Sequence, residues 1–209
     1  MIDPGLMEKI RTDLDSWETP ILWMYLDSEG LVTVGCGTML PSSESATAIP
    51  FFHDKTLNAA TGAEIVTVWT TLHSGSAVQK AANPRNKFGA NHYRTSSDLR
   101  ITASISSSLR DSHVAADYQE LKRIYVGFDL LPEDAKLALF DMIYNLGPGR
   151  GRTRLHRASG LRGYAHMNTA ISKGDWATAA LSCMRHGIPS TRNNMTSALF
   201  RNCATKKSA

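Results

Sequence analysis

Glu18, Asp27 and Thr33 are the residues of this chain whose types and spacing could do chemistry. A glutamic acid and an aspartate on adjoining elements make an acid–base pair, one carboxyl giving a proton while the other takes one. A threonine hydroxyl beside the second carboxylate can hold a water. Cleaving a glycosidic bond needs that set: an acid for the leaving oxygen, and a carboxylate to activate water or stabilise an oxocarbenium-like transition state. Any single Glu is more often a solvated surface residue, so the weight lies in the pattern.

Two elements must position these groups. Asp3-Pro4 reads as a helix cap followed by proline in the first turn. Leu6, Ile10, Leu14 and Trp17 then recur at helical spacing, giving an amphipathic helix that ends near Glu18 and is stopped by Pro20. A carboxyl at a helix C-terminus, between Trp17 and Trp23, suits a proton donor. Ile21–Leu26 and Leu31–Val34 are β-prone runs joined by Asp27-Ser28-Glu29-Gly30, so Asp27 and Thr33 are expected on a hairpin. Gly35 and Gly37 would let the backbone pass close to a neighbour.

The 209 residues, 42% of them hydrophobic and 20% charged, describe a globular chain rather than a disordered one. A net charge of +4 favours an anionic partner without choosing among wall polymer, nucleic acid and membrane surface. Three cysteines, Cys36, Cys183 and Cys203, form no CxxC pair. Cys183 and Cys203 either meet between packed helices or stay separate buried thiols. The seven histidines form no HExxH, so neither a metal nor another cofactor is expected. No run of 18 apolar residues occurs and MIDPGLMEKIR has no apolar signal core, so membrane insertion is not expected.

Pro41–Ser45 reads as a polar loop, and Thr61-Gly62-Ala63-Glu64 as a capping box opening a helix with Ile65, Val68, Trp69 and Leu72 on one face. Ser74–Tyr93, with Lys80, Arg85 and Lys87, reads as a long basic loop, and Ser104–Ser108 as a serine-rich patch. Helices are expected over Val114–Phe128, from Leu131 to a Gly147 cap, over about 161–173 and 175–186, and from Ser190 or Thr191 to Cys203, with Lys206-Lys207 frayed. The expected fold is α+β, mainly helical: one domain over 1–209, with an α+β lobe to about 125 and a helical lobe over 126–205.

The pattern resembles the phage-type lysozymes, glycoside hydrolase family 24, and related bacterial toxins such as pesticin and type VI secretion effectors. Their signature is a Glu at the end of the first helix, an Asp nine positions on and a Thr six beyond; Glu18, Asp27 and Thr33 meet it. Tyr25, Glu29, Gly30, Gly35 and Gly37 match its flanks, Ala138–Gly147 looks like its central helix, and Gly174–Ala180 and Thr191–Phe200 resemble its closing helices. The match covers about 3–40 and 130–203, is weak over about 50–125, and departs at Thr38, where many phage enzymes carry His. The resemblance implies a two-lobed lysozyme-like fold. It also implies inverting hydrolysis of the β-1,4 bond between N-acetylmuramic acid and N-acetylglucosamine, with Glu18 as acid, Asp27 as base and Thr33 holding the water. Asn145 is either a substrate contact or a helix cap; Arg192 and Asn193 are either substrate contacts or helix-start packing.

Peptidoglycan glycan strands are the partner implied, for a monomer working in the periplasm or at the wall of a target bacterium. Delivery by a secretion system, holin or fused carrier is expected, with an immunity protein if it is an effector. A lytic transglycosylase needs the Glu without a water-activating Asp and Thr, and a non-catalytic wall-binding module should have lost one of the three. A nucleic-acid binder would show a helix-turn-helix or a concentrated basic stripe, and neither is present.

Overall fold

The computed structural model describes residues 1–82, 88–151, 153, 156 and 158–205, the side chains of 76–82 excepted. It is 59% helical and 9% strand, an α+β chain that is mainly helical. Two compact units emerge: Glu18–Ser112, and Met1–Trp17 together with His113–Ala209. This division differs from the expected one near residue 125. The first helix buries Leu6, Ile10 and Leu14 in the same core as Val114, Leu139 and Phe200, so it belongs with the C-terminal helices.

The 18–112 unit is built on a three-stranded antiparallel sheet, β1 (Ile21–Leu26), β2 (Val32–Gly35) and β3 (Thr38–Met39), in that order. Tyr25 pairs with Thr33 and Leu26 with Val32, while an irregularity separates them from the Ile21–Gly35 pair. Met24, Leu26, Val32 and Val34 pack inward against Phe51, Ile65, Leu72, Leu99 and Ile101. Gly35 has φ +66°, and a side chain there would start 3.0 Å from Ser106 Oγ, so both conformation and space require glycine. Gly37 also has positive φ but faces no atom within 4 Å, so only its conformation matters. A second, two-stranded ladder pairs β4 (Phe52–His53) with β5 (Leu99–Arg100).

Three expectations for this unit are corrected. Pro41–Ser45 is not all loop: α2 (Ser43–Thr47) starts there, capped by Ser42, whose hydroxyl accepts from Ser45 N–H while Ser45 Oγ accepts from Ser42 N–H. The Thr61–Glu64 capping box does form, but its helix α3 (Gly62–Ala82) runs through the serines and Gly75 into the segment read as a basic loop. Among the described residues of that segment a short 3-10 turn, Ala90–Tyr93, follows; Arg85, Lys87 and the Lys80 side chain lie outside the described residues, as do Lys206 and Lys207. The helix expected over Val114–Phe128 is α4 (Ala103–Ile124), which starts in the Ser104–Ser108 patch and stops before Phe128; Thr102 Oγ1 accepts from Ile105 N–H, and Ser108 and Ser112 bond back to carbonyls one turn earlier.

In the other unit α1 (Pro4–Trp17) is capped as expected, Leu6 N–H donating to Asp3 Oδ1 at 3.0 Å. It packs on α5 (Glu133–Leu146), which is buried along most of its length and ends at Gly147 with φ +66°. A 3-10 turn, Gly160–Gly163, precedes α6 (Ala165–Ser172); α7 (Trp176–Ser182) follows, capped by Asp175, and α8 (Ser190–Thr205) closes the bundle against α5 and α7. Asp141 is the polar centre of this core. Its Oδ2 accepts from Arg185 Nη2 at 2.6 Å and Thr196 Oγ1 at 2.7 Å, and its Oδ1 from Arg192 Nε at 2.7 Å. All three cysteines are buried, and none is in a disulfide. No helix among the described residues is long and apolar enough to cross a membrane.

Candidate active site

Glu18 follows the last residue of α1 and is half-buried as the chain turns through Pro20 into β1. Asp27 sits at the other end of that strand, and the turn it opens holds its carboxylate in place. Its Oδ1 accepts from Glu29 N–H at 2.9 Å and from Leu31 N–H at 2.8 Å. Its own backbone closes the loop, Gly30 N–H donating to Asp27 O at 2.9 Å and Asp27 N–H to Leu31 O at 3.0 Å, with Gly30 at φ 73°. One carboxylate oxygen is thus fixed by backbone donors, and the other is directed along a defined line.

That line leads to Thr33. Its hydroxyl lies 3.4 Å from Asp27 Oδ2 and 3.0 Å from Leu31 O. A hydroxyl carries one hydrogen, and the shorter contact takes it to the Leu31 carbonyl. The oxygen lone pairs then face the Asp27 side, where a water could donate to both. Thr33 is 2% exposed, so its hydroxyl is held in the core of the hairpin between Asp27 and Leu31 O.

Tyr25 ties the two carboxyls together electrostatically. Its phenol is pushed up to about 12, first by burial, then by the negative charges of Asp27 and Glu18, with a smaller effect from Cys36. It therefore stays protonated at neutral pH, a donor beside two acids. The sequence marked Tyr25 only as part of a flanking pattern. The available signal was its place two residues before Asp27 on a strand and opposite Thr33.

The three expected substrate contacts lie in the other unit. Arg192 and Asn193, 5% and 4% exposed, are core residues. Arg192 bonds Asp141, while the Asn193 amide accepts from Arg185 N–H and Nε at 3.2 Å each and donates to Arg185 O at 2.9 Å. The packing alternative, not the substrate contact, describes them. Asn145, half-buried near the end of α5, makes no side-chain hydrogen bond among the described residues. No cluster of three or more His, Cys, Asp or Glu among the described residues has metal-binding geometry.

No family model and no curated protein matches this chain.

Proposed function

We propose that this chain is a peptidoglycan muramidase that hydrolyses the β-1,4 bond between N-acetylmuramic acid and N-acetylglucosamine with inversion. The observation that carries the reading is the Asp27 carboxylate, locked by two backbone N–H groups on one oxygen and facing the Thr33 hydroxyl with the other. A base that must take a proton from a placed water needs this kind of fixed aim. Glu18 protonates the leaving oxygen as the bond breaks. Asp27 Oδ2 takes the proton of the attacking water, and Thr33 Oγ1 accepts that water's second hydrogen. Inversion requires the carboxyls to stand about 6.5–9.5 Å apart around the sugar and water. The lysozyme-like fold, action at a target wall, delivery by a carrier and an immunity partner all belong to the same proposal.

The test is Glu18→Gln, which keeps shape and removes the proton. Clearing of a peptidoglycan suspension should fall by about 100-fold or more with circular dichroism unchanged. Mass spectrometry of the products should find reducing muropeptides. Anhydro-muropeptides would mean transglycosylation, and activity within a few-fold of the parent would remove Glu18 from the mechanism.

A further inference from the structure

Two residues before Tyr25 on β1, roughly 7 Å along the strand, Trp23 borders a cavity of about 430 Å³. Phe52, Leu57 and Ile101 supply its apolar walls and Arg94 and Arg100 its positive charge, while Asp54, facing Arg100, and His53 also line it. We propose that this cavity binds the carboxylate end of the peptide stems carried by wall glycan, a negative charge on a small apolar body. The proposal rests on the peptidoglycan reading above and extends it from the sugar to the stem.

The two arginines differ in how they are used. Arg100 spends its donors on the fold: Nη1 on the carbonyls of Ser97 and Leu99 at 3.0 and 2.8 Å, and Nη2 on that of Arg94 at 2.8 Å. Its Nε also faces Asp54 at 3.7 Å. Both guanidinium groups lie over the Trp23 ring, Arg94 at 5.4 Å and Arg100 at 5.5 Å from its centre, but that of Arg94, an exposed residue held by its own backbone, makes no hydrogen bond or ion pair among the described residues. A forked cation on an aromatic face beside an apolar cavity is complementary to a carboxylate on a short aliphatic stem.

The rim adds a second observation. Leu57 has φ 59°, the one non-glycine with positive φ among the described residues, and is 75% exposed. Leucine is disfavoured both by that backbone and by water. The loop holding it is closed by His53 N–H to Asn58 O at 2.9 Å and Leu57 N–H to His53 O at 2.8 Å. Glycine would fit this turn better; a leucine there makes sense as an apolar cover for a bound ligand.

The experiment is an NMR titration of the ¹⁵N-labelled full chain with N-acetyl-L-lysyl-D-alanine, its C-terminal amide, and acetate. None contains a glycosidic bond, so the outcome is independent of whether Glu18 cleaves glycan. The dipeptide should shift the Trp23 indole N–H, which donates to Ala90 O at 2.9 Å. The amide, acetate alone, and the dipeptide on Arg94→Gln should each bind roughly tenfold more weakly or worse. Leu57→Gly should weaken binding several-fold while leaving the melting temperature equal or higher. Equal binding of acid and amide, full affinity in Arg94→Gln, or no response at Trp23 overturns the proposal. Acetate binding as tightly as the dipeptide overturns the peptide assignment, and unchanged affinity in Leu57→Gly overturns the cover.

Discussion

At the scale of single residues, Asp27 and Thr33 divide the work in a way that mutation separates. In Asp27→Asn the amide oxygen can still accept from Glu29 and Leu31 N–H, so the turn survives while the proton acceptor is gone. Muropeptide release should fall by about 100-fold or more at unchanged melting temperature. Thr33→Ser keeps a hydroxyl between Asp27 and Leu31 O and should retain much of the activity. Thr33→Val removes it, should lose activity, and should also cost about 1 kcal/mol of stability for the lost hydrogen bond. A fully active Thr33→Val would move water placement to another group. Thr33→Glu puts a carboxylate where the water belongs. A sugar adduct trapped on that variant, read by intact-protein mass spectrometry, is the expected sign of a switch to a covalent, retaining route.

At the scale of elements, two helices carry charges whose burial decides stability. On α5, Asp141 is bonded by Arg185 and Arg192, so Asp141→Asn strands buried cations and should cost about 3–5 kcal/mol in chemical denaturation. On α4, Asp117 is 3% exposed, and burial, then the Glu120 charge, raise its carboxyl from 3.8 to about 7. His113 faces it at 3.6 Å, but burial lowers that imidazole, so at neutral pH it offers little positive charge in return. The native state thus holds a proton that the unfolded chain has lost, so Asp117 contributes a loss of stability as pH rises from about 4 to 7, set against the gain from lowered groups such as Asp98, Asp129 and His113. The loss is about 4 kcal/mol at most, and melting curves of Asp117→Asn should lack it. Parent and Asp117→Asn curves that run parallel across that window would show that Asp117 is solvated.

Elements were legible in the sequence where a stripe or a cap marked them. α1, β1, β2, α5 and α8 followed from apolar spacing, Asp3, the Asp27–Gly30 turn and Gly147. α3 buries only Ile65 and Leu72 among its described side chains, so the pattern faded before Ser74 although the helix did not end. α2 uses serine rather than Glu or Gln at the third position of its box, a weaker signal. In the candidate site the Glu–Asp–Thr spacing could be read directly. Burial of Arg192 and Asn193 could not, because polar letters at a helix start look the same facing water or a buried aspartate.

At the scale of the whole molecule, one unit is continuous and the other is assembled from both sides of it. Residues 18–112 carry their own apolar core around Met24, Val34 and Phe51. Residues 113–209 lack Leu6, Ile10 and Leu14, each worth about 1.5–3 kcal/mol when buried. A fragment of 18–112 should therefore melt cooperatively, whereas 113–209 should do so only when a peptide of residues 1–17 is added. Calorimetry of the three mixtures checks it, and a cooperative transition for 113–209 alone would show that the first helix is dispensable.

The split unit also sets a clock on synthesis. At ribosomal speeds of about 5–20 residues per second, roughly 10–40 s pass between Trp17 and Phe200 leaving the polypeptide tunnel. For roughly the first 6–26 s of that interval, until Leu146 emerges, the apolar stripe of α1 has no α5 to cover it, and α8 comes later still, while the segment bearing Glu18, Asp27 and Thr33 is already fully made. A nascent chain of this design leaves α1 open to chaperones while the whole of the 18–112 unit is made, and the unit that α1 belongs to closes only when α8 arrives.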